Sequence, residues 1–272
     1  MHKNIQNTDI NEWLTPHFRQ LLDDGKRLHT LVRLSINGIT ALTVIPRIGE
    51  EITRLEQQRG IVSDPALLET TKAEAELARA EVASGFAITL SQHLVDLWGL
   101  LEASVRNLVA LWLEHMGGMK CEAVTKLKVR IGDYENLEGP AKFQYVVKLL
   151  EREEASSIKN GADRFESLLA CVGLGGPIPK NLRRALYELS QLRNCIVHNA
   201  RRADSQLTNA CPWLNLTPGE LISPGQEKSS ELFHAIWSYS LLLVSRASTL
   251  AGDPKQDVVD EVFAEWDTTS GK

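Results

Sequence analysis

Arg193, Asn194 and His198 stand at the end of a helical-looking stretch and are followed directly by Asn199. A histidine with an ordinary pKa near 6.5 can take or give a proton at neutral pH, and an arginine offers a fixed fork of donors that matches a phosphate. Asparagine adds a neutral donor and acceptor that can position a reacting group. Together these types suit general acid–base work beside an anionic centre. On one continuous helix Asn194 and His198 share a face, whereas Arg193 and His198 diverge by about 140°. One chain alone therefore makes a poor catalytic pair of the arginine and the histidine.

The trio lies within Lys180 to Arg202, KNLRRALYELSQLRNCIVHNARR, where six cations stand against one anion, Glu188. The local charge is +5 in a chain whose net charge is −5, with 30 Lys+Arg against 35 Asp+Glu. The molecule as a whole is no polycation, so any nucleic-acid surface must be local, and Lys180, Arg183, Arg184, Arg201 and Arg202 are its candidates. The same charges would also suit a solvated helix face balanced by acidic neighbours. Tyr187 is placed to stack on a base or to pack in the core or an interface. Arg193 could instead form a structural ion pair with Glu102 or Glu188. Cys195 reads as a small buried residue, His93 as a polar-face residue near Asp96, and His234 as a non-catalytic neighbour of the site.

Other chemistries find little support. The four cysteines, at 121, 171, 195 and 211, match no CxxC spacing, and no evident carboxylate or histidine cluster would hold a metal, so neither metal nor cofactor is expected. Gly173-Leu174-Gly175-Gly176-Pro177 lacks the Lys-Ser/Thr ending of a phosphate-binding loop and follows a helix, so it reads as a cap and turn.

The elements that must position these residues are helical throughout. With 272 residues, 43% of them apolar and 24% charged, the chain can bury a sizeable core. Apolar residues recur at three- and four-residue spacing, while β-branched alternation is hard to find, so the fold class is all-α. Amphipathic pieces run from Trp13 to Leu22 and from Arg27 to Val44, the second disturbed by Pro46. Ser63-Asp64-Pro65 starts a helix that could reach Met116, with Ser84-Gly85 its weak point and Gly117-Gly118 its stop. Its second half carries so wide an apolar stripe that it should run through the middle of a bundle. Helices are expected at about 139–154 and 162–172, from Pro179 to the motif, and at about 229–251. Residues 201–228, with Pro212, Pro218 and Pro224, read as a long irregular excursion, and the acidic end as a tail or short docking helix. The division expected is 1–62, an N-terminal helical region; 63–252, the main helical domain; and 253–272, an acidic C-terminal tail. No signal-like or membrane-spanning run is evident, so a cytoplasmic protein with no membrane partner is expected.

The segment from Arg193 to His198 resembles the R-x4-6-H signature of the HEPN superfamily, all-helical proteins that are mostly metal-independent endoribonucleases of prokaryotic defence and toxin systems. Asn194 matches the polar residue that follows the arginine, and the motif comes late in a bundle with a further helix behind it. The stretch Leu94–Glu114, with Glu102-Ala103-Ser104-Val105-Arg106-Asn107-Leu108, is similar to the long early helix of that family. The likeness spans residues 65–252, and its sharp part is about six residues long. The N-terminal 60 residues and the excursion after His198 depart from a minimal HEPN domain.

The resemblance implies a homodimer whose motif helices face each other across a cleft, with Leu192, Ile196 and Val197 packed beside it. RNA would be cut there to a 2′,3′-cyclic phosphate and a 5′-hydroxyl. His198 would act as general acid/base, Arg193 as phosphate clamp and Asn194 as positioning donor. A toxin or anti-phage effector with an antitoxin or other defence-system partner protein is the expected setting. Two alternatives stand beside it: a non-catalytic HEPN-like module that binds nucleotide, nucleic acid or a partner protein, and a helical scaffold without a ligand.

Overall fold

Apolar spacing of three and four residues resolves into twelve α-helices in the computed structural model, which describes residues 10–60, 65–154, 160–253 and 255–268. They are α1 (Ile10–Leu42), α2 (Ile45–Gln58), α3 (Pro65–Ala83), α4 (Ala87–His115), α5 (Glu122–Thr125), α6 (Ile131–Glu135) and α7 (Pro140–Glu154). After these come α8 (Ala162–Ala170), α9 (Lys180–His198), α10 (Ser205–Ala210), α11 (Gln226–Leu250) and α12 (Gln256–Thr268). No strand occurs among the described residues, and the fold is all-α.

Helix α4 is the axis of the bundle. Leu94, Leu97, Leu101, Val105, Leu108 and Val109 are wholly buried, and the helix packs against α1, α7, α8, α9 and α11. The break that separates α3 from α4 falls at Ser84-Gly85-Phe86, where Gly85 and Phe86 adopt φ of 69° and 63°. A left-handed pair cannot continue a right-handed helix, so the chain turns there. The freed N–H groups of α4 are met by side chains: Thr89 N–H donates to the Glu81 carboxylate at 2.8 Å and Ala87 N–H to Ser84 Oγ at 3.3 Å. Pro46 lies in the first turn of α2, where its missing N–H costs nothing, so it opens a new helix rather than distorting α1.

The first half of α1 belongs to the same core. Trp13, Leu14, Phe18 and Leu21 are buried, and the Trp13 ring meets Trp112 edge-on and stacks on His115. At the other end of the chain α12 packs on α11 and α9 through Val262 and Trp266. Residues 173–177 form a helix cap: Gly173 takes φ 81° and Leu174 N–H donates to Leu169 C=O at 2.9 Å. Glu166 ties this turn to α11, accepting from Gly176 N–H, Tyr239 Oη and Arg246 Nη1, each at 2.8 Å. A side chain at Gly176 would run into Arg246, so the glycine makes room for this network.

His93 departs from its sequence reading. It is 2% exposed rather than on a polar face, because α1 covers that side of α4 and brings His29 within 6.1 Å, ring to ring. Neither ring nitrogen of His93 has a hydrogen-bond partner among the described residues, and burial, assisted by His29, lowers its pKa to about 4. No single described helix is long and apolar enough to cross a membrane.

A histidine with a folded pKa below its unfolded value keeps its full contribution above pH 6.5 and loses it as pH falls toward 4, because the unfolded chain binds the proton first. Chemical denaturation at pH 7 and pH 4.5 is expected to show a stability loss smaller by about 2–3 kcal/mol in His93→Leu than in the wild type. Equal losses in the two proteins would remove His93 as the source.

Candidate functional site

Helix α9 has one face committed to the core. Leu182, Ala185, Leu186, Leu189, Leu192 and Cys195 are buried, the spacing expected of a helix packed against α4 on one side. Glu188 is buried on the adjoining face and is paired, accepting from Trp213 Nε1 at 2.6 Å and facing Lys228 Nζ at 3.1 Å. The helix emerges from the core in its last turn. Arg193 and Asn194 are half-buried, Val197 is 45% exposed and His198 is exposed.

Within that turn the Arg193 guanidinium donates to Asn194 Oδ1 at 3.4 Å, a long bond that places the two groups side by side. Asn194 and His198, four residues apart, share the solvent side of the helix end. The His198 ring carries no hydrogen bond within the described residues, so both ring nitrogens are open to an incoming group. Of the three apolar neighbours, Leu192 is buried, Ile196 is half-buried and Val197 points outward. Cys195 is buried, and that burial raises its thiol pKa, which disfavours a reactive thiolate.

The backbone behind His198 is held tightly. Ala200 and Arg201 both adopt positive φ, 48° and 61°, which is uncommon for residues other than glycine. Asn199 and Arg201 N–H groups both donate to Cys195 C=O, closing the helix. The Asn199 side-chain amide donates to Asp204 at 2.6 Å, and the other oxygen of Asp204 caps α10 by accepting from Leu207 N–H at 2.7 Å. The Leu207 N–H holds the Asp204 carboxyl below the usual carboxylate range, with help from Asn199 and against a smaller effect of burial.

The excursion expected over 201–228 is therefore more ordered than its prolines suggested. It contains α10, a 3-10 turn at Pro212–Leu214 and a short antiparallel bridge between Arg202 and Leu221. Ile222 N–H donates to Arg201 C=O at 2.7 Å and Ala203 N–H to Glu220 C=O at 2.8 Å.

The basic residues fall into two groups that do not converge. Arg201 and Arg202 lie in the turn beside His198, where Arg202 donates to Gly219 C=O at 2.9 Å and Arg201 borders an apolar groove with Ile88 and Leu221. Lys180, Arg183 and Arg184 lie at the opposite end of α9, about 21–27 Å along the axis from His198. There they line a cleft of about 400 Å3 with Tyr187, Trp213 and Asp163. Arg183 pairs with Asp163 at 2.6 Å, and the Arg184 guanidinium lies 4.1 Å from the centre of the Trp213 ring. Tyr187 is half-buried at the rim of this cleft, and its backbone packs so closely on Gly161 that a Cβ there would come within 2.7 Å of it.

Neither acidic candidate meets Arg193. Glu102 pairs with Arg106 at 3.0 Å and with Arg164 at 2.9 Å, on the α7 and α8 side of α4. Glu188 is engaged by Lys228 and Trp213, because α9 turns it toward α11 rather than along its own helix. His234 pairs with Glu265 on α12 at 2.8 Å. Two residues matter here that sequence reasoning passed over, Asp204 and Trp213. Asp204, three residues before Leu207, carried a helix-start signal, whereas Trp213 carried none. No three His, Cys, Asp or Glu side chains among the described residues are grouped as metal ligands would be. No protein-family model, curated protein or solved structure matches this chain at a significant level.

Asp204→Ala removes both the α10 cap and the partner of Asn199, and is expected to cost about 1–2 kcal/mol in urea denaturation. Adding Asn199→Ala to it should cost less than the two single changes summed, since both act on one bond. Additive losses would separate the two residues.

Proposed function

We propose that this chain is a metal-independent endoribonuclease of the HEPN type, working as a homodimer in a toxin or anti-phage defence setting. The observation that carries the reading is the exposed last turn of α9, where His198 stands free on a pinned backbone, Asn194 shares its face and Arg193 is hydrogen-bonded to Asn194. A buried or ion-paired motif would have removed the chemistry.

The mechanism follows from the groups. The imidazole of one subunit's His198 takes the proton of a ribose 2′-hydroxyl, whose oxygen attacks the adjacent phosphorus. Charge builds on the non-bridging oxygens and is met by the guanidinium of Arg193, while Asn194 donates to the phosphate and fixes its angle. The His198 of the second subunit protonates the departing 5′ oxygen, which leaves a 2′,3′-cyclic phosphate and a 5′-hydroxyl. Two subunits are needed because Arg193 and His198 point about 140° apart on one helix. Val197, 45% exposed at the same end, supplies an apolar contact for the second copy.

A second reading, a non-catalytic HEPN-like module that binds nucleotide, nucleic acid or a partner protein, is favoured by the other end of α9. Lys180, Arg183 and Arg184 gather around Trp213 and Tyr187 far from His198, an arrangement suited to holding a phosphate and a base without cutting.

In excess chelator the purified protein is expected to cut RNA. His198→Ala, changed at an exposed position, should keep the wild-type melting temperature and lose cleavage by at least about 100-fold. Arg193→Ala should abolish cleavage, whereas under the second reading Arg184→Ala, in the far cleft, weakens RNA binding and Arg193→Ala leaves it unchanged. Full activity in His198→Ala would end the ribonuclease reading, and wild-type protein that retains RNA on a filter without cutting it would favour the second.

A further inference from the structure

The exposed apolar residues of α1 and α2 follow a rule. Leu31, Leu34, Gly38 and Ala41 lie on the second half of α1, at spacings of three, four and three, and all are exposed. After another step of four the same alternation continues on α2 with Ile45, Ile48, Ile52 and Leu55, again all exposed. The large side chains of this row are 38–60% exposed, values far above those of a core-facing stripe. The α2 residues that turn toward α3 are Gly49, Thr53 and Glu56 instead, with Leu68 of α3 touching the position of a Gly49 side chain.

Strict alternation of three and four is the a/d seam of paired helices, narrower than the stripe a helix needs to lie on its own core. Nothing among the described residues covers it. The geometry points to a second copy of this chain as its occupant, joined antiparallel through α1 and α2 about a two-fold axis near Thr43.

Three observations select that occupant. The spacing reads the same in both directions, so an antiparallel copy matches the seam along its whole length. In that register small faces large: Gly38 lies against the second copy's Ile48 and Ala41 against its Ile45, while Leu31 meets Leu55 and Leu34 meets Ile52. Such pairing fills space without overpacking. The flanking positions bring no like charges together, since Asn37 approaches Glu51, Ser35 approaches Gly49, and Val44, itself 49% exposed, meets its own counterpart at the axis.

The 43° bend between α1 and α2 falls at the centre of the pattern. A two-fold axis along its bisector would lay each arm on the opposite arm of the other copy. Covering the seven large exposed side chains from Leu31 to Leu55 would bury on the order of 600 Å2 per copy, or about 1,200 Å2 in all, the lower edge of a specific interface. The charges between Leu31 and Leu55 are mixed, with Arg54 bonded to Glu51, so no cationic band invites an anionic membrane.

The inference does not rest on the ribonuclease reading and its test does not use cleavage; the substitutions within the seam, rather than the mass of the oligomer, separate this contact from one through the α9 ends. Sedimentation should give the 272-residue chain at least twice the 30.3 kDa of one copy. Ile48→Glu combined with Ile52→Glu, at exposed positions, should leave the circular dichroism and melting of the monomer intact and raise the dimer dissociation constant at least about 100-fold. With the native cysteines as baseline, Val44→Cys should cross-link to itself. Leu55→Cys should not, because its counterpart lies about 36 Å away in an antiparallel pair. A monomeric wild type, a dimer untouched by the double change, or self-linking of Leu55→Cys would each overturn the proposal. Wild-type protein that stays monomeric and binds phosphatidylcholine–phosphatidylglycerol vesicles, with the double variant failing to bind, would assign the seam to lipid and overturn it too.

Discussion

Helix α4 presents apolar side chains around most of its circumference, and that single demand organises the chain. A fully buried leucine contributes roughly 1.5–3 kcal/mol relative to an exposed one, and at least four leucines of α4 are wholly buried. The helix therefore has to be sheathed on nearly every side, and α1, α7, α8, α9 and α11 do this. Each sheath helix spends one face on α4 and keeps the other for solvent or for a second layer. The rotation of α9 is fixed by this arrangement, since Leu182, Leu186, Leu189 and Leu192 cannot leave α4 without exposing it. Which residues of α9 face outward, His198 among them, follows from what α4 requires.

The exposed end of α9 would still be a poor platform if it frayed, as helix ends tend to do. Here the turn after His198 holds two consecutive non-glycine residues in the left-handed region, a conformation worth on the order of 1–3 kcal/mol of strain at each position. Such a turn persists when its surroundings over-determine it. Asn199 is tied to Asp204, Asp204 to the start of α10, and the carbonyl of Arg201 to Ile222. The long loop after the motif is thus a brace that stops the last turn of α9 from unwinding. Its cysteine, Cys211, is buried deeply enough to push its thiol pKa up to about 12, so the brace is sealed against the core as well.

Periodicity carried the architecture well. The wide stripe of α4, the boundary at Ser84-Gly85, the cap at Gly173 and the start of α9 after Pro179 can all be read from residue types, because each expresses a local rule about dihedrals or facing. Neighbours were less legible. A 3.6-residue period says that His93 shares a side of α4 with other residues but not that α1 will cover that side. It places Glu102 and Glu188 near Arg193 in chemistry, yet Glu102 is taken by Arg106 of its own helix and Arg164 of α8, and Glu188 by Trp213 and by Lys228 of α11. The +5 stretch read as one basic patch, although about 27 Å of helix separates its two ends, because summed charge ignores axial distance. Trp213, which organises the far cleft, lies in a segment whose prolines concealed any pattern.

The apolar row on α1 and α2 and the free end of α9 raise a question of symmetry. A contact between identical copies is self-complementary only about a two-fold axis. If the seam and the α9 ends both pair with a second copy, the two contacts either share one axis and close a dimer, or lie on different axes and build a larger closed or open assembly. The first half of α1 is part of the core and its second half carries the seam, so α1 transmits the seam's orientation directly to α4 and from there to α9. Ile39 and Leu42 of α1 and Arg201 of the turn after His198 border the same groove, which places the two surfaces in neighbouring parts of one rigid bundle. The angle between the contacts is therefore a fixed property of the fold, set by how α1 and α9 lie against α4. That angle, rather than the strength of either contact, determines whether pairing through one brings the other together.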